Sequence, residues 1–117
     1  MRTELKDILI VIVTAANQEE AAKISQRAVK TRQAACATTI PTVCSTYWWE
    51  GELITDQECI VLLKTTADKF EALQETIRTM HSYEVPEIIA IPVSHGLPQY
   101  IEWVMKETST SCDRSGL

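Results

Sequence analysis

The side chains able to do chemistry in this chain of 117 residues are few: two histidines, four cysteines and scattered carboxylates. His81 follows Met80 at the end of an apolar, helix-spaced stretch, and His95 precedes Gly96. Imidazole, thioether and thiolate all suit copper, but the residue types alone do not make His81 a metal ligand. The competing reading is a helix-terminal histidine that favours the negative end of the helix dipole. Lys64, Tyr83, Glu87 and His95 are candidates for a ligand cleft, where a lysine and a carboxylate would hold an anion and a metal respectively. The same residues also make ordinary surface ion pairs and turns. Cys36, Cys44, Cys59 and Cys112 form neither a CxxC nor a zinc spacing. They read as free, buried thiols, with a Cys44–Cys59 disulfide across neighbouring strands as the alternative. With three glycines there is no phosphate-cradling loop. No Ser-His-Asp, Cys-His or flanking carboxylate pair is evident, and the chain does not read as an enzyme.

These residues must be positioned by elements whose periods are legible. Ile8–Thr14 is a continuous apolar run, as in a strand buried within a sheet. Asn17 followed by Glu20 has the spacing of a capping box, opening a helix that ends near Arg32 or Gln33. A hairpin spans Ala34–Thr66 and turns at Glu50-Gly51. Pairing outward from that turn sets Trp49 opposite Glu52, Cys44 opposite Gln57, Thr42 opposite Cys59 and Cys36 opposite Thr65. Pro41 removes a ladder donor and marks an edge or a bend. A second helix runs from Ala67 to His81, with Asp68 and Glu71 at capping-box spacing and Phe70, Leu73, Ile77 and Met80 as its buried stripe. Glu87–Val93 is the last strand, and Pro98 opens a third helix carrying Tyr100, Ile101, Val104 and Met105. The order β-α-β-β-α-β followed by α is the α+β, ferredoxin-like split βαβ arrangement. Residues 1–107 read as one domain and 108–117 as a polar tail.

The hairpin sets the assembly. Arms of about 15 residues at ~3.3 Å each reach roughly 50 Å, whereas helices of similar length cover only ~23 Å. The distal arm, with Tyr47, Trp48, Trp49 and Leu53, would stand in water unless another subunit covered it. An oligomer packed through these residues is expected. The net charge of −5 argues against nucleic acid, and Ile8–Val13 is too short to enter a bilayer as a span. A cytoplasmic location is the default expectation.

Several segments together resemble one family. The Ala34–Cys36 segment, the Trp48–Gly51 tip, Lys64–Thr66, Pro86-Glu87 and Pro92–Gly96 follow the order and spacing of the CutA divalent-cation-tolerance family, over about Ile8 to Met105. The resemblance implies a ferredoxin-like homotrimer built on the long hairpins, similar to PII signal transducers that bind ligands between subunits. It also implies copper(II) or another divalent cation as ligand, with no established catalysis, and in animal members a link to anchoring acetylcholinesterase. The bacterial copper ligands are a Cys and a His-His pair; Val13 and Met80 occupy two of those positions, and His81 alone is kept. Two functions follow as expectations: a copper-responsive tolerance protein, or a PII-like trimer binding a small metabolite or a partner protein.

Overall fold

The computed structural model describes residues 7–109. The expectations placed on the first six residues, on Cys112 and on the last eight positions fall outside that range. The elements are β1 (Ile8–Ala15), α1 (Gln18–Lys30), β2 (Cys36–Trp49), β3 (Glu52–Thr66), α2 (Phe70–Met80), β4 (Ile88–Pro92) and α3 (Pro98–Ser109). The strands form one antiparallel sheet in the order β2-β3-β1-β4, the α+β ferredoxin-like arrangement expected. Side chains alternate between the two faces of each strand. On the first face Val11, Val13, Val61 and Leu63 pack against Ala21, Ile24 and Ala28 of α1 and Leu73 and Ile77 of α2. The small alanines let α1 lie close to the sheet.

Helix ends show where local chemistry and expectation part. The Asn17 side chain accepts from the Glu20 amide at 2.9 Å, but Glu20 Oε1 accepts from the Ala16 amide at 2.8 Å, one residue before the cap. At its other end α1 stops at Lys30, short of Arg32. Arg32 takes a left-handed φ of 65°, its amide bonds to the Val29 carbonyl, and the Gln33 amide reaches the Ala28 carbonyl. This is a Schellman closure built without glycine. The capping box expected at Asp68 and Glu71 does not form. A 3₁₀ turn over Ala67–Lys69 precedes α2 with no side-chain cap, and Asp68 instead accepts from the Thr66 hydroxyl.

The hairpin register differs from expectation by one residue over half its length. Trp49 faces Glu52 and Cys44 faces Gln57 as expected, but the register shifts between Ile40 and Val43, so that Cys36 faces Lys64 rather than Thr65. Pro41 and Thr42 are a bulge on an edge strand, where the missing proline donor does least harm. The Cys59 thiol meets the Pro41 carbonyl at 2.8 Å. Cys59 is buried, Cys36 half-buried and Cys44 exposed, all three as free thiols, so of the three described cysteines, all expected to be buried, only Cys59 is fully enclosed within the chain.

The bulge has a consequence for the hairpin's faces. Below it Ile40 pairs with Ile60; above it Val43, Ser45, Tyr47 and Trp49 pair with Glu58, Asp56, Ile54 and Glu52. Tyr47 and Trp49 therefore share the second sheet face with Ile60 and Leu62, while the pair Trp48–Leu53 lies on the helix side, beyond the helices. The turn itself has two left-handed residues, Glu50 at φ 50° and Gly51 at 82°.

Helix α3 folds back over one end of the second face, where Ile8 and Ala35 pack with Ile101 and Val104. A Cβ on Gly96 would meet Ile101 Cδ1 at 2.7 Å, so this position admits only glycine without a shift. The helix continues to Ser109, past the expected boundary at 107, because Thr108 is buried with its hydroxyl donated back to the Val104 carbonyl. The rest of the second face is apolar and open. Ile10, Ile12, Ile60 and Leu62 are half-buried, and Ile89 and Ile91 are each 50% exposed.

Candidate functional site

The loop from α2 to β4 brings the candidate residues to the sheet at the hairpin's base. His81 is the hub. Its side chain is fully buried, and the Tyr83 amide donates to Nδ1 at 3.0 Å. Nδ1 is thereby the acceptor, so Nε2 carries the hydrogen and donates to the Thr14 carbonyl at 2.6 Å. Both ring nitrogens are engaged, and the ring packs against Tyr83 with centroids 4.7 Å apart. The sequence reading of His81 as a metal ligand is therefore not matched within this chain: no lone pair is left for a cation. Among the described residues, no three His, Cys, Asp or Glu side chains gather closely enough to hold one metal ion.

Glu20 secures the same loop from α1. Its Oε2 accepts from the Ser82 amide at 2.6 Å and its Oε1 meets the Ser82 hydroxyl at 3.2 Å. Burial alone would raise this carboxyl, but the Ala16 and Ser82 hydrogen bonds, with His81 nearby, outweigh it and hold the group below the ordinary 4.5. A depressed folded value means that the contribution is present above 4.5 and is lost as pH falls through the lower folded value. The stability difference between wild type and Glu20→Gln, measured by urea unfolding, is expected to be largest near pH 7 and to narrow as the pH falls below 4.5. A difference that does not narrow on acidification would contradict the assignment.

Beside this hub lies a cavity of about 500 Å³, lined on the hairpin side by Ser45, Thr46, Tyr47, Trp49 and Glu58 and on the loop side by Tyr83, Glu84, Val85 and Glu87, with Thr14 at its floor. The Tyr83 hydroxyl donates to Glu58 Oε2 at 2.6 Å, and the Tyr47 hydroxyl to Asp56 Oδ2 at 2.7 Å. Burial, then the Glu58 hydrogen bond, pushes the Tyr83 phenol well above its usual range; the Asp56 hydrogen bond raises Tyr47. Both phenols stay protonated and their rings are pinned.

Of the four cleft candidates, the structure brings Tyr83 and Glu87 together in this cavity. Lys64 lies at the far end of β3, with Nζ donating to Thr38 Oγ1 at 2.9 Å, so within one chain it does not converge with them. His95 is exposed and bonds to Ser94 Oγ at 2.9 Å, away from the cavity. Sequence reasoning did not single out Glu58 or the second role of Glu20. The signal for Glu58 was its alternation with Ile60 and Leu62, which puts an acid in an apolar row. The four hairpin residues expected at an interface divide by face. Trp48 and Leu53 are 71% and 62% exposed on the helix side, while Tyr47 and Trp49 line the cavity.

The family model described as CutA1 divalent ion tolerance protein matches residues 9–107. The chain belongs to the CutA family. It is 38% identical over 99 residues to the divalent-cation tolerance protein CutA of Thermus thermophilus, covering 85% of this chain and 96% of that protein. It is 36% identical over 103 residues to the chloroplastic protein CutA 1 of Oryza sativa, covering 88% of this chain but 58% of that longer protein. The crystal structure of CutA from Xylella fastidiosa superposes with a TM-score of 0.85 at 38% identity, over 87% of this chain and 98% of that one. In this CutA chain the position expected to hold a cysteine ligand, Val13, is wholly buried among the core side chains. Met80, at the other replaced position, is half-buried at the end of α2. Among the described residues no helix is long and apolar enough to cross a membrane.

Proposed function

We propose that this chain works as a non-enzymatic, cytoplasmic homotrimer in divalent-cation tolerance, binding a small ligand or a partner protein in clefts between subunits in the PII-like manner. The observation that carries the reading is the open second face. Six large aliphatic side chains, Ile10, Ile12, Ile60, Leu62, Ile89 and Ile91, lie there half-buried or exposed, and the row leads directly to Tyr47, Trp49 and the cavity. A contiguous apolar patch of that kind marks a surface that meets another one. The projecting hairpin, which gives the chain its 51 Å long axis, supplies the reach to a neighbouring subunit.

Copper(II), or another divalent cation, is on this reading a weak ligand. The bonds to both nitrogens of His81, and valine and methionine at the other two ligand positions, support that. Calorimetric titration of the metal-free protein with copper(II) is expected to give affinity no tighter than the millimolar range, about 4 kcal/mol of binding free energy. Tight binding of one ion per subunit would contradict it and return the role to a rebuilt copper centre.

A further inference from the structure

We propose that the cavity between the hairpin base and the Tyr83–Glu87 loop binds a small organic cation, an amine or guanidinium carried on an apolar body. This names the ligand class for the cleft reading above and rests on it only in that the cavity borders the face expected to meet a neighbour.

Four observations point to this chemistry. The lining holds three carboxylates, Glu58, Glu84 and Glu87, and no lysine, arginine or histidine. Glu58 is only 8% exposed; its Oε2 is held by Tyr83, and no described residue bonds to Oε1. A carboxylate so little exposed favours a cationic donor from outside. Trp49, Tyr47 and Tyr83 supply ring faces, the surfaces that attract ammonium and guanidinium groups. The phenols, each donating to a carboxylate, cannot turn their hydrogens into the cavity. Finally, the volume of about 500 Å³ fits a ligand of several heavy atoms. The carboxylates are too dispersed to share a metal ion, so the charge suits an extended organic cation better than a point ion.

The test uses the full chain with benzylammonium as probe and benzyl alcohol as its neutral isostere, read by calorimetry, with the mass of each sample measured by light scattering. Benzylammonium is expected to bind at least about tenfold more tightly than benzyl alcohol. Glu58→Gln is expected to remove that preference, and Trp49→Leu, at a half-exposed position, to weaken the ammonium while sparing the alcohol. Magnesium at equal concentration is expected not to displace the probe. Equal binding of probe and isostere, or displacement by magnesium, overturns the inference. Absence of binding by an intact trimer also overturns it and leaves the assembly standing, since the neighbouring subunit then fills the cavity. Selective binding by a monomer supports the cation site while sinking the trimer.

Discussion

Ile91→Glu is expected to yield a folded chain with one third of the native mass. In a single chain Ile91 is 50% exposed, on the face opposite the helices and opposite Ile10 in the β1–β4 ladder. A glutamate there remains in contact with water, so the isolated fold loses little, within about 0.5 kcal/mol. In the proposed trimer the same carboxylate would be carried into an apolar interface with no partner, at a cost of several kcal/mol for each of three copies, so the penalty would fall on association rather than on folding. Light scattering should report monomers, and circular dichroism an unchanged far-UV spectrum. A trimer of native stability in dilute solution would show that this face is not the interface.

His81→Ala is expected to destabilise the fold by about 3 kcal/mol or more. The side chain is wholly enclosed, and its removal strands the Thr14 carbonyl and the Tyr83 amide. Each such orphaned group costs about 1–3 kcal/mol, and the vacated volume adds to this. The loss should appear in urea unfolding with copper absent, because the histidine's role is to clamp the loop to β1. A change below about 0.5 kcal/mol would mean that the ring is solvated and free for another task.

Much of this architecture was legible in local patterns. The apolar run of β1, the Asn17 cap, the α2 stripe and the turn at Glu50-Gly51 each depend on residues within one or two turns of one another. The hairpin's excess length over the helices was arithmetic on the same scale. What stayed hidden depends on tertiary placement. Pro41 announced an irregularity, but whether an extra residue sat on β2, on β3 or on neither decided whether Cys36 faced Lys64, Thr66 or Thr65, and nothing local settles that. The same one-residue slip puts Ile40, opposite Ile60, on the face that Tyr47 and Trp49 share. His81 looked open to a metal because the Thr14 carbonyl that takes its Nε2 hydrogen lies 67 residues away along the chain. Lys64 was grouped with Tyr83 and Glu87 by element ends alone; β3 and β4 both run antiparallel to β1 and so point the same way, which puts the end of β3 and the start of β4 at opposite ends of the sheet.

The most direct test of the central claim is the mass of the unaltered protein in solution, followed by light scattering on serial dilution. The account predicts three times the 13.2 kDa of one chain, held to low concentration because exposing the apolar face to water is costly. A stable, soluble monomer at the same concentrations would contradict it, and with it the placement of the ligand cleft between subunits.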